Sequence, residues 1–321
     1  MNITPNPEWD GTRTPQLAFS TTQGESYHAR IEDFLNSEYG TSLQRKVQLV
    51  ITSPPFPLAS PKSYGNPVGQ EYLDWITDLA TPLTDLLTPD GSLVLEIGNA
   101  WDKGSPTMST LPLETLISFG KRGNLNVCQQ FICNNPNRLP SPIVYVNKER
   151  IRVKDSYTHV WWYGRSSRPY ADNRSILKEY SPAMKKLLKR QSYNPGSRPS
   201  EHTIGETSFL TNNGGAIPAS FLDFSGEQTF LNWLEFTGSA VDRRYSEWCK
   251  AQGLKQHPAK MQSGLVEFFI RFLTKEGDLV FDPFGGSNTT GSTAEQLGRR
   301  WAVTEPNPEY IRGSMGRFKS L

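Results

Sequence analysis

Residues 278–298 read DLVFDPFGGSNTTGSTAEQLG. A short apolar run, Leu279 to Phe281, meets Asp282-Pro283-Phe284, then the turn Gly285-Gly286-Ser287, then a helix start. A glycine turn between a strand and a helix lets a ligand approach the backbone closely, and the free N–H groups of a helix start favour negative charge. The spacing matches neither G-x-G-x-x-G nor G-x-x-x-x-G-K-[ST], so neither a dinucleotide fingerprint nor a P-loop is indicated. About twenty residues on, RRWAVTEP reads as the next strand and ends at Glu305. An acid at that tip sits where α/β folds hold ribose hydroxyls. Together the two features suggest a nucleoside-containing cofactor without a triphosphate. Taken singly, the turn also fits a plain structural connection, and Glu305 a solvated strand-end acid.

Working outward, the whole chain shows this alternation at both ends. QLAFST, VQLVITS and GSLVLEIGN read as strands. Between the last two, QEYLDWITDLATPLTDLL repeats Leu73, Ile76, Leu79, Leu83 and Leu86–Leu87 at helical spacing, which predicts one helix and parallel pairing of the flanking strands. NLNVCQQFICN and DSYTHVWWYG continue the β pattern, with His159 read as an ordinary strand residue and Trp161, Trp162 and Tyr163 as core. HPAKMQSGLVEFFIRFLT reads as a turn followed by an apolar helix, and PNPEYIRGSMGRF as a final helix with proline near its start. The expected fold class is α/β, a doubly wound and mostly parallel sheet.

Residues 165–250 interrupt that pattern. Their first part, 165–200, holds nine lysines and arginines against two acids, a local net charge of +7 in a chain whose total is +2. We read 165–250 as a small basic lobe inserted between two segments of the α/β domain, 1–164 and 251–321. SPAMKKLLKRQ places Lys185, Lys186, Lys189 and Arg190 on one side of a short helix and Met184, Leu187 and Leu188 on the other, as expected for a helix that lays its cations on phosphates or simply on water. No apolar run reaches 18 residues and the N-terminus lacks signal-peptide order, so a cytoplasmic protein is expected. Cys128, Cys133 and Cys249 match neither a disulfide framework nor a metal-ligand spacing.

One more stretch carries chemistry. VQLVIT ends at Ser53-Pro54-Pro55-Phe56. Neither proline can donate to a sheet, so a central strand stops there in a stiff turn. In isolation this fits a strand terminator. With the other stretches it resembles the amino-methyltransferases that act on DNA: TSPPF is similar to their catalytic motif, DPFGGSNTT to their cofactor motif, and HPAKMQSGLVEFFI to a cofactor-flanking motif. The order, catalytic motif before basic lobe before cofactor motif, is that of the permuted β-group with its many cytosine-N4 enzymes.

The resemblance implies an S-adenosylmethionine-dependent methyltransferase fold and methyl transfer to a base flipped from duplex DNA. It implies restriction–modification, a monomer, and CAGCTG as the site. Ser53 and the Pro54 carbonyl would accept hydrogen bonds from the target amine, and Phe56 would offer its ring to the base. Asp282 through Ser287, Glu305, His257, Lys260 and Glu96 would serve the cofactor. Ser at the first motif position goes with cytosine-N4 more than adenine-N6. No cysteine follows a proline, which argues against carbon-5 methylation. An adenine-N6 enzyme, an RNA or glutamine methyltransferase, and a DNA-binding protein without catalysis stay open. Two departures stand out. Asn288 replaces the family's third glycine, where an unusual backbone angle is expected to be tolerated, and GESYHARIEDFL lacks the family's Gly-Asp, so no residue is placed on the adenine ring.

Overall fold

The computed structural model describes residues 3–6, 15–57, 67–136, 138–224, 230–231 and 239–318. In chain order the strands are β1 (Thr4–Pro5), β2 (Gln16–Ser20), β3 (Gly24–His28), β4 (Val47–Thr52), β5 (Leu87–Gly98), β6 (Asn126–Asn134), β7 (Tyr157–Gly164), β8 (Gly196–Ser197), β9 (Thr203–Ile204), β10 (Phe221–Asp223), β11 (Leu279–Asp282) and β12 (Arg300–Glu305). The helices are α1 (Ile31–Leu35), α2 (Glu38–Ser42), α3 (Gly69–Asp78), α4 (Ala80–Leu86), α5 (Leu111–Arg122), α6 (Pro182–Arg190), α7 (Ser239–Ala251), α8 (Ser263–Leu273), α9 (Thr289–Gln296) and α10 (Pro308–Ser314).

Ten strands form one sheet in the order β1-β2-β3-β12-β11-β4-β5-β7-β6-β10. The central run β3, β12, β11, β4 and β5 is parallel, and β7 runs antiparallel between β5 and β6. This is the expected mostly parallel sheet, with helices on both faces. Every residue of β4 is buried, as a central parallel strand requires. Its side chains alternate between two cores. Leu49 and Ile51 join α8 residues such as Phe268 and Phe269, while Val47 and Val50 join the α1–α5 side with Phe34, Tyr72 and Phe119.

The chain winds both ways from the middle. β4 crosses through α3 and α4 to β5, and β11 crosses through α9 to β12 on the other side. Between β11 and β4 the winding reverses. Open α/β sheets bind ligands in the crevice at such a reversal, beyond the carboxyl ends of the strands.

Three local readings change. The helix read over 70–87 is two helices that meet at Leu79, and Leu87 begins β5. Pro82 has no N–H to continue the α3 ladder, so the chain turns and restarts. GESYH, left without an element in the sequence, is β3, parallel to β12. The apolar helix after His257-Pro258 starts only at Ser263. Inside 165–250, Ile176 and Leu222 lie in the main core, β10 pairs with β6, and Trp248 of α7 donates to the Arg312 carbonyl of α10. Helix α6 stands at the surface with Met184, Leu187 and Leu188 half-buried. Trp162 and Tyr163 are buried as read while Trp161 is half-buried; all three cysteines are free, Cys133 and Cys249 buried and Cys128 half-buried. Among the described residues no helix is long and apolar enough to cross a membrane.

The β3–β12 pairing depends on glycine. Trp301 lies fully buried, stacked 5.1 Å from Phe318, with its indole N–H donating to Glu295 at 2.6 Å. A Cβ on Gly24 would lie 2.2 Å from its ring. Gly24→Ala is therefore expected to destabilise the fold by about 1–3 kcal/mol through overpacking. An unchanged urea midpoint would show that Trp301 can move aside.

Candidate active site

The turn after β11 is built by its own backbone. Gly285 donates its N–H to the Thr304 carbonyl at 2.9 Å, which holds the turn against the end of β12. A Cβ at Gly285 would lie 2.0 Å from a Val303 methyl, so that approach excludes a side chain. Gly286 has φ +51° and donates its N–H to Glu305 Oε2 at 2.8 Å. Asn288 takes the left-handed conformation, φ 54°, and its Oδ1 accepts from the Gly291 N–H at 2.9 Å as the cap of α9. The departure from a third glycine is thus a local adjustment. Asparagine tolerates this conformation and supplies a cap that glycine lacks.

Glu305 is buried at the tip of β12. Its Oε1 accepts from the Asn307 N–H at 2.9 Å, and burial pushes its carboxyl up to about 7. Each carboxylate oxygen keeps a further lone-pair site, so both can still accept hydroxyl donors. Phe284 sits edge-on to Trp75 at 5.7 Å beside the turn. These parts fit a nucleoside: a diol acceptor, a backbone that can be approached, and no P-loop lysine.

The two sequence motifs meet at Asp282. This buried carboxylate accepts from Thr52 Oγ1 at 2.8 Å, the Phe284 N–H at 3.0 Å and Thr290 Oγ1 at 2.6 Å. Thr52 is the last residue of β4, directly before Ser53. The cofactor-type turn and the Ser-Pro-Pro-Phe turn are therefore pinned to each other by one side chain. Burial raises the Asp282 carboxyl and the three donors pull it back down.

Ser53 lies near enough to Glu96 to lower its carboxyl, which accepts from Thr158 Oγ1 at 2.8 Å. Glu96 is buried on β5, and burial raises it, opposed by Thr158, Ser53 and the nearby Arg138. Glu96, read from sequence as a cofactor contact, lies beside the catalytic-type motif. Phe56 lies on the end of β5, where a Cβ at Gly98 would come within 2.5 Å of its ring. Asn99 Oδ1 contacts His159 Nε2 at 2.9 Å, and burial lowers that imidazole. His159 is therefore a buried neighbour of the site.

His257 flanks the turn on one side, and Lys260 stands in the layer behind it with Asp242 and Tyr245. The His257 ring packs edge-on to Tyr310 at 4.6 Å, and a Cβ on Gly286 would lie 3.1 Å from it. Lys260 lies 3.7 Å from Asp242 and over the Tyr245 ring. A residue with no sequence signal, Arg317, completes this layer. It is fully buried, donates to the Ser287 carbonyl at 2.6 Å and to Ser287 Oγ at 3.1 Å, and pairs with Asp242 at 2.8 Å. A buried guanidinium so partnered fixes the glycine turn. Of the lobe cations, Lys185 pairs with Glu179 at 2.9 Å, and Lys186, Lys189 and Arg190 are exposed on α6, away from any buried acid.

Comparison with known proteins agrees with this geometry. A protein-family model described as DNA methylase matches residues 47–316. The chain is 41% identical over 303 residues to the type II methyltransferase M.PvuII of Proteus hauseri, covering 94% of this chain and 85% of that protein. Among solved structures it resembles the PvuII DNA methyltransferase (cytosine-N4-specific), with TM-score 0.69, 34% identity, and 94% and 88% of the two chains covered. The M1.HpyAVI–SAM complex, at 18% identity and TM-score 0.50 over 92% of this chain and 100% of that one, shares the fold. With a sheet wound out from Asp282, both motifs at the reversal and a match along nearly its whole length, the chain belongs to the DNA methylase family.

Proposed function

We propose that this enzyme transfers a methyl group from S-adenosylmethionine to the exocyclic N4 of a flipped cytosine in duplex DNA. The observation that carries the reading is the position of Ser53. It is covalently next to Thr52, whose hydroxyl reaches the cofactor-side Asp282, while its own side chain meets the buried Glu96. When bound, S-adenosylmethionine supplies an electrophilic methyl. Glu305 would hold the ribose hydroxyls, and the turn from Asp282 to Ser287 would pass beside the cofactor, with His257 and Lys260 behind it.

The protein's contribution to the reaction is orientation. The amine of cytosine is a poor nucleophile because its lone pair is delocalised into the ring. Acceptors fixed at Ser53 Oγ and the Pro54 carbonyl draw its hydrogens out of the ring plane and free that pair. A Ser53 hydroxyl turned toward the nearby Glu96 carboxyl would keep its oxygen lone pairs for the amine, so Glu96 would set the direction in which Ser53 accepts. Forming the N–C bond releases one proton from the amine, and Glu96, reached through Ser53, is the carboxylate in line to take it. Phe56 offers a ring face to the base. Proximity of this kind accounts for much of the acceleration.

Similarity to an enzyme titled cytosine-N4-specific, together with Ser53, supports cytosine over adenine. The name type II methyltransferase supports a place in restriction–modification. CAGCTG is the site the resemblance implies, and the single copy of each motif supports a monomer that modifies one strand at a time. Within 165–250, the α6 cations Lys186, Lys189 and Arg190, with Lys185 exchanging Glu179 for phosphate, would position the duplex. Transfer of a labelled methyl to duplex DNA, followed by identification of the base, tests the reading. N6-methyladenine as the product would replace it with the adenine alternative.

Ser53→Ala is expected to lower the single-turnover rate by roughly 10²–10³, the value of one oriented hydrogen bond in such a site. Cofactor affinity should stay as in the wild type, and a wild-type rate would remove Ser53 from the chemistry.

Glu305→Gln separates binding from stability. Loss of charge-assisted bonds to the ribose, each worth about 1.5–3 kcal/mol, should weaken cofactor binding at least tenfold. The apo protein should respond in the opposite sense. The folded state keeps the Glu305 proton up to about 7, against an ordinary value of 4.5, so ionisation costs the fold increasingly between those pH values. Relative to wild type, the variant should gain stability as pH rises from 4.5 to 7, by up to about 3 kcal/mol, and level off above. A difference between the two proteins that does not change with pH would mean that Glu305 is already solvated.

A further inference from the structure

The connection between β6 and β7, residues 135–156, does not behave like an ordinary surface loop. Among the described residues twelve large apolar side chains are exposed, and five of them, Leu139, Ile143, Val144, Ile151 and Val153, fall in this one segment. Leu139 is 80% exposed and Val153 86%. An apolar group of this size marks a surface meant to be covered.

The chemistry of its surroundings says by what. The segment holds Arg138, Lys148, Arg150, Arg152 and Lys154 against Glu149 and Asp155, a net charge of +3, more than the whole chain carries. Lys148 and Arg150 are exposed and make no ion pair or hydrogen bond among the described residues. In Ile151-Arg152-Val153-Lys154 the pattern alternates. Ile151 and Val153 face out, while Arg152 is drawn in, donating to the Pro106 carbonyl and lying 3.4 Å from Asp155. Lys154 donates to the Pro136 carbonyl at 2.7 Å, Arg138 to the Tyr157 carbonyl at 3.3 Å, and Ile151 N–H to the Tyr145 carbonyl at 2.9 Å. The apolar side chains are thus presented by an ordered frame.

The frame stands beside the candidate active site. It leaves β6 at Asn134 and enters β7 at Tyr157, and these two residues pair. The next residue, Thr158, donates to Glu96, which lies beside Ser53. Arg138 is near enough to Glu96 to lower its carboxyl.

We propose that the 135–156 segment is a wedge for duplex DNA: Leu139 and Val153 enter the base stack beside the target cytosine, while Lys148 and Arg150 hold the neighbouring phosphates. The inference rests on the proposed function. Extruding a base costs a few kcal/mol of unstacking and unpairing, and apolar side chains pushed between base steps stabilise the opened stack. Cations flanking apolar tips fit a polyanion with an apolar interior. A second copy of this chain would bring +3 against +3.

The test uses the full chain with Leu139→Ser and Val153→Ser together, both at exposed positions. The variant should keep the wild-type unfolding midpoint and cofactor affinity. Single-turnover methylation is measured on two duplexes, one fully paired and one with an abasic site opposite the target cytosine. On the paired duplex the rate should fall about tenfold or more, because opening the stack has lost its support, while on the abasic duplex it should stay within about twofold of wild type. In a second variant, Lys148→Ala with Arg150→Ala, the log–log salt slope of DNA binding should decrease by about 0.9 for each phosphate that the protein no longer neutralises. Wild-type rates on the paired duplex, equal losses on both duplexes, an unchanged salt slope, or a change in sedimentation that reveals self-association through this surface would each overturn the wedge. A wild-type protein that methylates neither duplex would instead overturn the proposed function on which the wedge rests.

Discussion

A single buried carboxylate holds the site together. Asp282 ends β11, and through Thr52, Thr290 and the Phe284 N–H it joins the tips of two strands that lie side by side but are more than two hundred residues apart in the chain. Burying that carboxyl is costly, and three donors offset the cost. Oδ1 is shared by two of these donors, whereas removing Thr290 would leave the buried Oδ2 unsatisfied, at about 1–3 kcal/mol. The same bonds set the spacing between the glycine turn and Ser53, on which the proposed meeting of methyl donor and amine depends.

Around Asp282 the carboxyl edge of the sheet carries two further buried acids, Glu96 on β5 and Glu305 on β12, and burial raises all three. Such a concentration of acids costs the apo fold stability and creates a negative potential where a sulfonium cation would sit. That charge disappears as the methyl leaves, so attraction to the acids favours binding and not the rate. Acceleration must come from groups that act on the nucleophile, the role proposed for Ser53, the Pro54 carbonyl and Glu96. On the far side of the turn, Arg317 is the opposite charge, buried and paired to Asp242 and Ser287. Because it grips the backbone of the glycine turn, it keeps flexible residues in one conformation without occupying the space in front of them.

Much of this was legible in the residues themselves. The glycine turn, Glu305 at the next strand tip and the stiff end of β4 each have a local cause: positive φ, a strand end, two prolines. The split of the 70–87 helix was also written in the chain, at Pro82, but the regular leucine spacing on both sides outweighed it. β3 was harder, since GESYH carries charge and glycine in place of an apolar run. It is a strand because Trp301 needs the room that Gly24 leaves. Arg317 left no trace, since a basic residue near the end of a chain looks like any solvated cation until Asp242 and Ser287 surround it.

The sequence by itself determined the local elements: parallel strands from near-continuous apolar runs, a close-approach turn at Gly285 and Gly286, and a stiff strand end at Pro54-Pro55. Those follow from short-range sterics and periodicity, which a neighbouring stretch cannot change. Only the tertiary structure decided which groups act together. Glu96 came to lie beside Ser53 because β5 lies beside β4, and β7 supplies its Thr158 donor. The apolar residues of the 135–156 segment could have been core, and only packing left them outside, next to the site. Side-chain partnership depends on strand order, and strand order is set by how the whole set of apolar surfaces can be buried at once, a global property that no local pattern contains.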